Sequence, residues 1–386
     1  MRAQSKSWMR LVLFGVLILA IASCIPGLAQ EGGPIVIGQR VKWHSNIMNE
    51  DRMLWIYTPD TSLASSTRYP VIYLLDGDGH FLHAAGIVQF LSSNNRMPQM
   101  MIVGIANTNR TRDLTPLPAD TALPGSGGAD MFLRSIKEEL IPYVDSHYNT
   151  SPYRLLIGHS FGGLFALNAL LKRPDLFNSY IIISPSLWWG SDTLVNQVLG
   201  FLKNPTKGKT FVYETVGNEG PRMVTPALRL KEVIDNRPAD GLEWKIKLMD
   251  AEDHGSIVHR SIYDGMEYIF SPWRFRGDLV AAGMSGLERH FKELSERYGY
   301  QIDVPELLVN SLGYQYLFQN KLQEAIEVFK WNVKHYPNSW NVYDSLGEAY
   351  AKKGETKLAI QNYEQSVAMN PGNTNGIQVL KKLKAN

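Results

Sequence analysis

Six short strand-like runs recur through the middle of the chain with helical stretches between most of them. This alternation constrains the fold more than any other feature. Tyr69 to Leu75 and Met100 to Ala106 are continuous apolar runs, the pattern of strands buried on both faces. Tyr153 to Gly158, Tyr180 to Ile183, Thr210 to Val216 and Trp244 to Met249 read as four more strands. From Asp130 to Tyr148, residues Phe132, Leu133, Ile136, Leu140, Ile141 and Val144 fall at helical spacing, and Gly163 to Lys172 reads as a helix. Upstream, Ile35 to Trp43 and Met53 to Thr58 flank polar Asn46 to Asp51 and predict a hairpin. Together these predict an α/β fold with a mainly parallel sheet.

The alternation stops near Trp273. Residues 284–300 form one amphipathic pattern, and from Asn310 the chain repeats itself. Leu312, Gly313, Tyr316, Ala325 and Pro337 recur as Leu346, Gly347, Tyr350, Ala359 and Pro371. Phe329 pairs with Tyr363 at the same 34-residue offset. The pattern resembles the tetratricopeptide repeat, a helix pair with small residues at the crossing. Two units, about 310–339 and 344–373, are visible. About three are needed to bury a core, so this region should borrow packing from its neighbours, with the 284–300 helix and the Asn375 to Lys384 tail as caps. The predicted organisation is a leader over 1–29, an α/β domain over 35–275 and an all-α tetratricopeptide-repeat region over 284–386.

The leader follows from charge and hydropathy. Arg2, Lys6 and Arg10 precede the apolar run Leu11 to Ala22, which at twelve residues is too short for a bilayer span of about 20. It reads as a signal peptide. Gly27-Leu28-Ala29 offers a signal-peptidase site. Ile21-Ala22-Ser23-Cys24 resembles a lipoprotein box in which Cys24, the single cysteine, carries the lipid. Either route exports the protein, to the periplasm or beyond, and membrane attachment follows only if Cys24 is lipidated. Without those three basic residues the formal charge drops from +2 to −1, which does not suit a nucleic-acid partner.

Gly158-His159-Ser160-Phe161-Gly162 lies between a predicted strand and a predicted helix, the context of a nucleophile elbow. Ser160 is the candidate nucleophile and needs a base. In this arrangement the partners follow in the order serine, acid, histidine. Of nine histidines only His254 and His259 lie beyond Ser160 and before the helical tail. His254, in the loop directly after the Trp244 to Met249 strand, is the candidate base. Glu219, just past the Thr210 to Val216 strand, is the candidate acid, set against Glu214, Asp250, Asp253 or no acid at all. The backbone amide of Phe161 and that of Gly77 or Asp78, in the glycine-rich loop Leu74 to Phe81, are the expected oxyanion donors. An EF-hand reading of Asp76 and Asp78 fails because Ile87 stands where the loop needs glutamate. No zinc spacing or P-loop occurs, so no metal or cofactor is expected.

These residues together resemble the putative esterase family of α/β-hydrolases, nearest its siderophore-esterase-like branch. Besides the elbow, the likeness rests on Leu75-Asp76-Gly77, Arg112-Asp113-Leu114-Thr115-Pro116, Gly127-Gly128-Ala129, Ser184-Pro185-Ser186-Leu187-Trp188-Trp189 and His254-Gly255-Ser256. It spans about residues 35–275. It implies Ser160 as nucleophile and His254 as base. Some members of the branch work with a serine–histidine dyad, so the resemblance leaves Glu219 open.

Trp188 and Trp189 follow a strand at the same sheet edge and are candidates to wall a substrate pocket, with packing in the core as the equal alternative for each. Arg110 and Arg112 sit in a loop over that edge and could meet a carboxylate or catecholate, or equally pair with Asp113; no catalytic role is assigned to them. The expected activity is hydrolysis of a small-molecule carboxylic ester through an acyl-enzyme. Two alternatives stand beside it: a binding or scaffold protein that holds a protein partner through the repeats, and an acyltransferase on the same fold.

Overall fold

A computed structural model describes residues 34–59, 67–118, 125–203, 208–274 and 282–385. The expected leader, including Cys24 and Ala29, lies outside the described residues.

Residues 38–386 form one unit built on an eight-stranded sheet. Its strands are β1 Gln39–Ser45, β2 Glu50–Tyr57, β3 Tyr69–Leu75, β4 Met101–Ile105, β5 Thr150–His159, β6 Ser179–Ile183, β7 Thr210–Gly217 and β8 Leu242–Met249. The spatial order is β1-β2-β4-β3-β5-β6-β7-β8. The β1–β2 hairpin runs antiparallel and β2 pairs antiparallel with β4; every other pairing is parallel. Every residue of β3, β4, β6 and β7 is buried, because helices cover both faces. The edge strand β8 alternates instead.

The first strand starts later than its apolar run implies. Ile35, Val36 and Ile37 are 94%, 75% and 41% exposed and form no strand. The ladder begins with Gln39 opposite Ile56, and β2 ends one residue on, before Pro59. An apolar run makes a strand only where a partner backbone exists. The helix over 129–147 carries a π turn at Ile136–Leu140. That turn sits just before Pro142, which has no N–H to donate. From it Glu139 reaches the hairpin and accepts the amides of Asn46 and Ile47, both at 3.1 Å.

The C-terminal helices are Gly283–Tyr298, Glu306–Phe318, Leu322–His335, Trp340–Lys353, Thr356–Met369 and Thr374–Ala385. Gly313 and Gly347 lie against the rings of Phe329 and Tyr363, at the crossing of each helix pair. This region shares a core with the sheet: Leu287, Phe291, Leu294 and Tyr298 are buried in one cluster with Ile181, Tyr213 and Ile262. At about 2 kcal/mol for each such side chain, that burial outweighs the neighbouring Arg297–Glu243 surface pair, worth under about 1 kcal/mol.

The chain leaves β3 on one side for β4 and on the other for β5. The winding therefore reverses at the C-terminal ends of β3 and β5, where parallel sheets open a crevice.

Candidate active site

The turn after β5 is strained and over-determined. Ser160 has φ 60° and ψ −116°, a conformation a non-glycine residue adopts only when its surroundings enforce it. The enforcement is visible. Its amide donates to Ile183 O at 2.9 Å, and its carbonyl accepts the amides of Leu164 at 3.0 Å and Ser186 at 3.1 Å. A Cβ on Gly158 would lie 2.1 Å from the Gly162 carbonyl oxygen, so only glycine lets strand and helix approach this closely. The helix spans Phe161–Lys172 and so starts two residues before the expected Gly163. The Leu164-to-Ser160 bond begins the helical turn at the serine itself.

Three side chains from three loops meet at this turn. His254 Nε2 lies 3.0 Å from Ser160 Oγ. On its other side His254 Nδ1 bonds Glu219 Oε2. Glu219 follows β7, and its side chain is 3% exposed against 44% for His254. Its second oxygen accepts the Gly217 amide at 2.9 Å and the Ser184 hydroxyl. Both carboxylate oxygens are thus committed, which fixes the imidazole plane. The loops after β7 and β8 are tied by the Asn218 amide donating to Glu252 O at 2.8 Å. Asp253 Oδ1 accepts the amides of Ser256 and Gly255, both at 2.8 Å, and shapes the turn that carries His254. Those bonds hold its carboxyl below the usual range.

The other candidate acids lie elsewhere. Asp250 is exposed. Glu214 is buried inside β7, accepts the Trp244 indole N–H at 3.3 Å and is pushed up to about 8 by burial. His259 is exposed, its ring 5.4 Å from that of His83.

Phe161 is the first residue of its helix, and its backbone N–H is one of the orphan donors of a helix start. Gly77 and Asp78 do not lie in an open loop. They open a helix, Gly77–Ser93, immediately after β3. Asp76 takes the left-handed conformation there, φ 52°, and its carbonyl accepts the amides of Gly79 and His80. Its carboxylate accepts from Arg110 Nε at 2.6 Å, Arg110 Nη2 at 3.0 Å and Asn107 Nδ2 at 2.7 Å. Burial would raise that carboxyl; the Arg110 bonds and charge, with Asn107, hold it below the usual range. Arg110 also donates to His159 O at 3.1 Å, so one guanidinium links the turn after β3 to the turn after β5. Arg112 is committed as well, to Asp113 at 2.6 Å and to Glu50 at 2.8 and 2.9 Å. Both guanidiniums are thus paired with carboxylates.

A cleft of about 560 Å³ opens beside Ser160. Phe161, Ser186, Trp188, Asn218, Arg222 and Met223 line it together with the Ser160, His254 and Glu219 constellation and Asp253. The two tryptophans part company. Trp188 faces the cleft. Trp189 is 4% exposed, donates its indole N–H to Leu117 O at 3.0 Å and stands edge-on to Phe161, so it backs the wall. Ser186 Oγ is 3.4 Å from Ser160 Oγ. The His159 ring lies 4.6 Å from that of His254. Burial, then the charges of His254 and His80, push His159 down to about 4, which keeps it neutral beside the imidazole. Sequence reasoning missed Ser184, Ser186, Asn218, Arg222 and Met223. The two serines lay inside a motif already singled out, without a role. Among the described residues, no group of three or more His, Cys, Asp or Glu is disposed to hold a metal ion.

The family model described as "Putative esterase" matches residues 45–222. Ferri-bacillibactin esterase BesA of Bacillus subtilis is 33% identical over 254 residues, spanning 58% of this chain and 87% of that protein. Siderophore triacetylfusarinine C esterase of Aspergillus fumigatus is 28% identical over 243 residues, 53% of this chain and 83% of that one. The crystal structure of an IroE-like serine hydrolase from Shewanella oneidensis superposes with a TM-score of 0.69 at 28% identity. It covers 78% of this chain and 99% of its own. The chain therefore belongs to the putative esterase family of α/β-hydrolases and is a carboxylic ester hydrolase.

Proposed function

We propose that the protein is an exported serine esterase in which Ser160, His254 and Glu219 act as nucleophile, base and acid. The observation that carries this is the continuous path from Ser160 Oγ through both nitrogens of His254 to the buried Glu219 carboxylate. Ser160 Oγ attacks the ester carbonyl carbon while its proton passes to His254 Nε2. The developing oxyanion is met by the Phe161 amide and by Gly77 or Asp78 at the neighbouring helix start. His254 then gives the proton to the departing alcohol oxygen, leaving an acyl-serine. Water, deprotonated by the same nitrogen, releases the acid. Glu219 holds the imidazole tautomer and balances the imidazolium charge.

Siderophore esters come first among the substrates to screen, because two of the protein's relatives are siderophore esterases. The 34-residue repeats are read as tetratricopeptide units that brace the hydrolase, in keeping with their shared core. Export rests on the amino-terminal pattern of Arg2 to Ala29. The test is hydrolysis of p-nitrophenyl butyrate by the parent, Ser160→Ala and His254→Ala. Loss of about a thousandfold or more in each variant is expected; equal rates in all three would refute the assignment.

A further inference from the structure

The cleft carries a cation that the catalytic reading does not use. Arg222 lines it, and its guanidinium carbon lies 3.6 Å from the centroid of the Trp188 ring. Among the described residues Arg222 makes no ion pair, whereas Arg110 and Arg112 are each locked onto carboxylates. Helix stability does not account for it. Arg222 stands in the first turn of the helix Pro221–Asn236, where the macrodipole disfavours a cation by roughly 0.3–1 kcal/mol. Its surroundings hold it in place. The Trp188 indole N–H is directed at Met223 Sδ, 3.2 Å away, which fixes the ring on which the guanidinium lies. The guanidinium carbon sits over the indole, and the residue is exposed and lines the cleft. A stacked guanidinium is pre-organised for an anionic oxygen, because little side-chain freedom remains to be lost on binding. The nearby acids do not compete for it. Glu219 is saturated by His254, Ser184 and Gly217, and Asp253 folds back on its own turn.

We propose that Arg222, stacked on Trp188, is the specificity element of this cleft and selects esters that carry a carboxylate or ionised phenol near the scissile carbonyl. This rests on Ser160 being the nucleophile, since it sets the anion against Arg222 while the carbonyl meets Ser160. It also moves anion recognition away from Arg110 and Arg112, the arginines the sequence brought to attention.

The experiment compares 4-acetoxybenzoate with phenyl acetate, and mono-4-nitrophenyl glutarate with 4-nitrophenyl valerate, in the parent, Arg222→Gln and Arg222→Lys. The Gln variant should lose about tenfold in kcat/KM on the charged esters, about 1.4 kcal/mol, and stay within about twofold on the neutral ones. The Lys variant should recover part of the loss. High salt should shrink the parent's preference for the charged esters. Equal effects on charged and neutral esters, or none, would overturn the proposal. A second arm does not depend on turnover: NMR titration of 4-acetoxybenzoate into Ser160→Ala, with and without Arg222→Gln. About tenfold weaker binding in the double variant supports anion recognition, and equal binding overturns it. If the parent cleaves none of the four esters, the serine-esterase reading fails, and this arm still decides the role of Arg222.

Discussion

Replacing Glu219 separates a triad from a dyad. The carboxylate and the imidazolium formed during attack would sit about 4 Å apart. At an effective dielectric of about 20 their attraction is roughly 4 kcal/mol. His254 is 44% exposed, so solvent screening lowers this to about 2–4 kcal/mol, a loss of about 30- to 1000-fold in kcat. Glu219→Gln carries a second effect. Oε1 takes two donors, from Gly217 and Ser184, so the new amide oxygen belongs there and its NH2 group must face His254. Nδ1 then has to accept, and the ring proton moves to Nε2, the atom that should take the proton of Ser160. Glu219→Gln should therefore be at least as slow as Glu219→Ala despite its closer shape. The assay is kcat for p-nitrophenyl butyrate, with circular dichroism to verify folding. Both variants within about fivefold of the parent would refute the argument and leave a serine–histidine dyad.

Gly158→Ala should abolish activity and lower Tm sharply in a thermal melt, because its Cβ meets the Gly162 carbonyl carbon and oxygen at 2.3 and 2.1 Å; a parent-like melt would contradict the tight elbow. Glu214 titrates near 8 in the fold against an ordinary value of 4.5. The native state keeps a proton that the unfolded chain has released, so this group's contribution is lost as pH rises from about 4.5 through about 8. Glu214→Gln should thus gain stability relative to the parent across that window in urea unfolding, and a constant difference would sink the assignment. Gly313→Ala places a methyl 2.3–2.8 Å from the Phe329 ring. It should cost about 1–3 kcal/mol of stability with kcat unchanged, and a melt matching the parent's would show that the helix crossing is looser than described.

The residues that sequence reasoning found are those whose signal is local. A strand, a five-residue turn and a helix are contiguous, so Ser160 stands out. His254 and Glu219 were reachable from strand order, because each comes directly after a parallel strand and so emerges at the same sheet edge, although for the acid that order left Glu214, Asp250, Asp253 or no acid open. Residues defined by distant partners were less legible. Gly77 and Asp78 read as loop because two glycines hide a helix start, and Asp76 is the residue that takes the positive φ. Trp188 and Trp189 are neighbours in the chain, yet one faces the cleft and the other the core. The commitment of Arg110 and Arg112 was half legible: a pair with Asp113 was one reading, but Asp76 and Glu50 reach them from 34 and 62 positions away. Ser184 and Arg222 have no local pattern, since their roles depend on Glu219 and Trp188 crossing to them at the sheet edge.

The central claim is that Ser160 is an activated nucleophile. The most direct measurement is covalent labelling by a fluorophosphonate, with the modified peptide located by mass spectrometry. The account predicts stoichiometric phosphonylation at Ser160, abolished in Ser160→Ala and slowed strongly in His254→Ala. Label elsewhere, or none in the folded parent, would contradict it.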